Sequence, residues 1–102
     1  MNMPLVDQRA PIIRWNILKA LHNGAPYEVH ESVLLSVVQA LFQDATSNEL
    51  RKELHYLQTR VLIIVHKDPQ GPWRMELDRY GTDLVEYTIE CDPGVARPPR
   101  YA

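Results

Sequence analysis

The chain is short of most of the residues on which catalytic and secretory chemistry depends. Its single cysteine, Cys91, excludes an internal disulfide and fits a reducing cytoplasm. The glycines number four, each placed like a turn or cap residue, so no phosphate-cradling loop is present. His22, His30, His55 and His66 are dispersed, and none stands at ligand spacing from another histidine or a cysteine. No metal and no cofactor is therefore expected. Spacing supports no Ser-His-Asp set, and Cys91 has no basic neighbour to lower its pKa, so the chain does not read as an enzyme. The longest apolar run, Val61 to Val65, is far too short to cross a bilayer, and no membrane partner is expected. The opening MNMPLVDQRA has no basic cluster ahead of an apolar block, which excludes a secretion signal. Positive charge is scarce too. A net charge of −2 argues against a strongly cationic, non-specific nucleic-acid binder.

What remains is the composition of an ordinary globular domain. At 45% hydrophobic and 24% charged, 102 residues suffice for a single modest core. The organising stretch runs from Thr46 to Arg74. Thr46 and Glu49 have capping-box spacing, and Leu50, Leu54 and Leu57 then share one helical face. Val61 to Lys67 reads as a strand, with Val61, Ile63 and Val65 on one side and Leu62, Ile64 and His66 on the other. The segment DPQGP cannot continue it, and Trp73 to Leu77 returns as a second strand with Met75 and Leu77 on one face. Trp73 itself reads as a cross-strand packing residue rather than a stacking platform for a base.

Two helical patterns precede this unit. Pro11 suits a first helical turn, Ile13, Ile17, Ala20 and Leu21 follow at helical spacing with Ile12 and Leu18 beside them, and Asn23-Gly24 is a stop. Trp15 lies off that stripe, as a rim residue covering the core or a dimer contact. Tyr27 and Val29 alternate as in a very short strand that pairs with the hairpin. Ser32 is the expected cap of the second helix, whose Val33, Leu34, Val37, Val38 and Leu41 make a face wide enough to be largely buried. A short polar turn leads to Thr46, which is helix-turn-helix spacing. Downstream, Thr82 is the expected cap of a short acidic helix carrying Leu84, Val85 and Ile89. The expected architecture is α+β: a winged helix-turn-helix with a three-helix core, a β-hairpin wing and a short C-terminal helix. Residues 1–10 form a lead-in, 11–90 the winged-helix domain, and 91–102 an extended proline-rich arm or a frayed terminus.

On the third helix the leucine face leaves Asn48, Lys52, His55 and Thr59 pointing away, flanked by Ser47 and Arg51. That face mixes donors, acceptors and cations, as base edges and phosphates require, and as any solvated helix face also does. Lys67 and Arg74 flank the hairpin tip, with Asp68 weakening their field.

The segments RWNILKALHNGAPYEVHESVLLSVVQAL, TSNELRKELHYLQTRVLII, RYGTDLVEYTI and DPGVARP resemble a family of short proteins encoded by Mu-like phages and prophages, within the winged-helix class of small bacterial and phage regulators. The class implies binding of double-stranded DNA, with the third helix in the major groove and the wing on the backbone. Ser47, Asn48, Arg51, Lys52, His55, Lys67 and Arg74 are the residues expected to make those contacts in a cytoplasmic transcriptional regulator. So few cations per chain favour a homodimer, built through helix one with residues 1–10 or through the fourth helix. The alternative is a protein-protein interaction module on the same scaffold, using the fourth helix, Trp15 and the arm. The acidic balance suits that role.

Overall fold

The computed structural model describes residues 5–100, with side chains from Gln8 onward. The elements follow in the order α1 (Leu5–Gly24), β1 (Val29–His30), α2 (Glu31–Leu41), α3 (Ser47–Thr59), β2 (Ile63–His66), β3 (Arg74–Leu77) and α4 (Arg79–Val85). They make an α+β domain of four helices and one three-stranded antiparallel sheet in the order β1-β3-β2. The valine-isoleucine strand pairs with the strand after the turn, Ile63 opposite Leu77 and His66 opposite Arg74, and the short first strand joins with Val29 opposite Met75.

The core is assembled from the periodic apolar positions. Ile13, Ile17, Leu18 and Leu21 of α1 meet Leu34 and Val38 of α2, Leu50, Leu54 and Leu57 of α3, and Ile63 and Met75 of the sheet, all essentially buried. Alternation in the strands turns Ile64, His66, Arg74 and Glu76 to the outer face of the sheet. Thr46 caps α3 by accepting the Glu49 amide at 3.2 Å. The reciprocal half of the box is not made, because the Glu49 carboxylate turns to Arg9 of α1 at 2.7 Å.

Several boundaries differ from the sequence expectation. Helix α1 begins at Leu5, so Pro11 lies inside it rather than opening it, and residues 5–10 are not a loose lead-in. A proline costs the helix one hydrogen bond. The turn ahead of it is held by Arg9, which bonds Glu49, reaches Asp44 at 3.0 Å and lies 4.6 Å over the Phe42 ring. The expectation that Leu5 and Val6 pack on a neighbour lies outside the described side chains.

Helix α2 starts at Glu31 and not at Ser32, its N-cap His30 has no side-chain bond, and only Leu34 and Val38 are buried. Val33 and Leu41 stay about half exposed, at 51% and 49%, so the face is narrower than expected. Helix α4 is capped by Asp78, which accepts the Arg79 amide at 2.7 Å, and Thr82 sits inside it. Ile89 lies beyond the helix and is exposed.

Val61 is not in the strand. It follows the C-cap of α3 with φ 61°, its amide bonds Gln58 and the Leu62 amide bonds Leu57, which is a Schellman closure built on valine. Tyr87 closes α4 in the same way, with φ 62° and amide bonds Tyr87 to Leu84 and Thr88 to Asp83. A β-branched residue in the left-handed region is strained, and at Val61 the closure offsets that strain with two backbone hydrogen bonds.

The C-terminal segment folds back along the domain. Val95 is buried, the Ala96 amide donates to the Pro11 carbonyl at 3.0 Å, and Arg97 donates to the Leu84 and Ile89 carbonyls. Gly94 lies over Tyr56, whose hydroxyl occupies the space a Cβ would need. Through Arg100, then, the segment is not a free arm, and 101–102 lie outside the described residues. Trp15 is buried and meets Tyr87 edge-on at 6.5 Å, which withdraws it from any dimer or partner surface. Helix α4 lies against α1, where Glu86 bonds His22 at 3.0 Å.

Candidate nucleic-acid interface

Helix α3 is fixed from three sides, and what is left over defines the site. Its leucine face is in the core. On one flank Glu53 is buried at 2% exposure and accepts Arg14 Nε at 2.8 Å, while Arg14 also donates to the Gly94 carbonyl and lies 3.5 Å over the Tyr56 ring. Arg60 bonds Asp92 and lies over the same ring at 5.0 Å. This flank therefore clamps α1, α3 and the C-terminal segment together.

The other flank is organised by Glu31. Its carboxylate accepts Arg51 Nε and Nη2 at 2.9 and 2.7 Å, and also the Trp73 amide at 3.0 Å. The Glu31 amide in turn donates to the Trp73 carbonyl at 2.9 Å, and the Arg51 guanidinium lies 4.1 Å over the indole. Lys67 Nζ approaches the same ring at 4.8 Å. The Arg51 guanidinium, aided by the Trp73 amide, holds the Glu31 carboxyl below the usual carboxylate range against the opposing effect of burial. A bidentate, ring-stacked arginine is a positioning group as much as a surface cation. It sets the angle between α2, α3 and the hairpin.

Between these flanks Ser47, Asn48, Lys52, His55 and Thr59 are exposed along α3. Two shallow clefts border the stripe. One of about 380 Å³ is lined by Arg14, Lys52, His55, Tyr56 and Arg60 among others, and one of about 440 Å³ by Arg9, Asn48, Glu49, Lys52 and their neighbours. Lys52 and Glu53 line both. Neither Lys52 nor His55 has an ion-pair partner among the described residues.

The seven residues singled out in the sequence thus divide. Ser47, Asn48, Lys52 and His55 form one open stripe. Arg51 and Lys67 converge on Trp73. Arg74 turns to the outer face of the sheet, where its Nη1 is 3.2 Å from Glu28.

Reading the sequence missed Glu31 as the hub, because its partners lie 20 and 42 residues away and carry no local signal. It also missed the grouping of Glu28, His66 and Glu76, which only strand pairing brings together. Cys91 does have a basic neighbour, Arg97, but burial dominates and pushes its thiol up, towards the unreactive form. Among the described residues no helix is long and apolar enough to cross a membrane.

No protein-family model matches this chain, and neither a curated protein nor a solved structure is significantly similar to it.

Proposed function

We propose that this chain is a winged helix-turn-helix protein that binds double-stranded DNA as a regulator of phage or bacterial type. Helix α3 enters the major groove and the β2–β3 hairpin follows the backbone. The observation that carries the reading is the open stripe of Ser47, Asn48, Lys52 and His55, standing beside a hairpin whose angle to it is fixed through Glu31, Arg51 and Trp73. Amide, hydroxyl, ammonium and imidazole groups on one exposed helical face match the donor and acceptor pattern of base edges. Lys67 and Arg74 serve the backbone. Arg51 holds α3 and offers only its remaining N–H groups to a phosphate.

With few free cations per chain, a twofold homodimer is needed for useful affinity. Its half-sites stand about one helical turn, roughly 34 Å, apart. A selection from random duplexes, with light scattering on the same sample, tests this. The expected outcome is a dimer that enriches a pseudo-palindrome and whose log affinity falls with log salt at a slope of about −4, equivalent to four neutralised phosphates. Absence of enrichment, or affinity indifferent to salt, refutes it.

A second reading, a protein-interaction module, draws on two observations. Arg51 and Arg74 are partly neutralised within the chain, and α2 shows solvent a stripe without charge in which Val33 and Leu41 are half exposed. That reading moves the contact surface from α3 to α2.

A further inference from the structure

The outer face of the sheet carries a group of side chains that the DNA reading does not use. Glu28 precedes β1, His66 ends β2 and Glu76 lies in β3. These side chains reach towards one another from three adjacent segments. His66 Nε2 is 3.0 Å from Glu28 Oε2 and 2.9 Å from Glu76 Oε2, and one ligand atom from each residue falls within 4.8 Å of the others.

We propose that Glu28, His66 and Glu76 bind a divalent transition-metal ion of the zinc type on the outer face of the sheet, beside the hairpin turn. The donor set, one imidazole nitrogen and two carboxylate oxygens, is that of a three-ligand site with a fourth position open to water. Ligand bonds of about 2.0–2.2 Å in a tetrahedron separate the ligand atoms by roughly 3.3 Å. The separations from the imidazole nitrogen differ from that by only a few tenths of an ångström. All three residues are partly exposed, so an ion has access.

Proton count points the same way. One ring nitrogen can donate only one proton, yet it faces two carboxylate oxygens, whereas a metal ion takes the nitrogen lone pair and binds both oxygens. Arg74 reaches Glu28 through the other oxygen, Oε1 at 3.2 Å, and can orient that carboxylate from outside the coordination sphere. A bound ion would tie the chain before β1 to β2 and β3 and stiffen the hairpin. The inference is independent of what α3 binds.

Isothermal titration of the full chain with zinc chloride tests it, paired with histidine-ring NMR on the wild type. The expected result is one equivalent bound in the micromolar range, with the His66 ring signals displaced and those of His22, His30 and His55 unmoved. His66→Ala and Glu76→Gln each weaken binding at least about tenfold, while His30→Ala, a control on the same sheet face, leaves it unchanged. Wild-type protein that takes up no zinc, or whose other histidine rings shift with His66 held still, overturns the proposal. So does retention of full affinity in Glu76→Gln. Should His66→Ala fail to fold, the wild-type NMR and the near-isosteric Glu76→Gln still decide.

Discussion

Glu53→Ala lowers the stability of the domain by about 3–5 kcal/mol, because it leaves a buried guanidinium without its counter-charge. Arg14 has a side-chain exposure of 15% and Glu53 of 3%, so water replaces the missing carboxylate only in part. The loss spreads, since Arg14 also holds the Gly94 carbonyl and stacks on Tyr56. Thermal denaturation should register a fall in Tm of at least about 12 °C for a domain of this size. Replacing both charges, Arg14→Met with Glu53→Leu, should recover part of the loss, because an apolar pair of similar volume needs no desolvation. A cost below about 1 kcal/mol for Glu53→Ala, the range of exposed ion pairs, contradicts the buried-clamp description.

Gly81→Ala is the other severe substitution. Gly81 is buried in α4 where the helix touches the end of α3's connection to β2, and an added Cβ would run into the Leu62 carbonyl oxygen. That oxygen accepts the Asp78 amide at 3.0 Å, so backing away breaks a hydrogen bond at the start of the helix. Overpacking against rigid backbone, with the lost bond, amounts to about 3 kcal/mol or more. Gly94→Ala is the internal comparison. There the added Cβ meets the Tyr56 hydroxyl, a side-chain atom under Arg14 and Arg60 rather than backbone, so the cost is smaller. Urea denaturation of the two variants checks the order. Equal effects, or a milder one at Gly81, would mean that α4 does not sit on the Leu62 carbonyl.

What could be read in the sequence was what periodicity and local chemistry encode. Leu50, Leu54 and Leu57 are buried as their spacing implies, Thr46 caps α3, and the hairpin pairs as its alternation and its DPQGP break require. The misplacements occur where the usual punctuation is missing or ambiguous. Helices most often close on glycine, but α3 and α4 close on Val61 and Tyr87, and a valine beside four apolar residues reads as strand. Pro11 looks the same at a first turn and in an interior. Only the tertiary pairing of Arg9 with Glu49 and Asp44 distinguishes them.

The geometry of the candidate stripe was legible on the same terms. The outward stripe of α3 follows from helix geometry once the leucine face is known. The division of labour between adjacent Arg51 and Lys52 does not, because it depends on Glu31 and Trp73, which reach α3 only through the fold. The same holds for Val33 and Leu41. They continue the apolar spacing of α2, yet the described chain leaves each about half exposed.

The most direct test compares fluorescence anisotropy of a labelled duplex carrying the selected site for wild type and for Lys52→Glu, both confirmed as folded, across a series of salt concentrations. Among the described residues Lys52 has no ion-pair partner to lose, so the account predicts unchanged melting, affinity lower by at least about tenfold and a salt slope shallower by about one per chain. Equal binding by the two proteins, or no binding of any duplex by wild type at low salt, would contradict it.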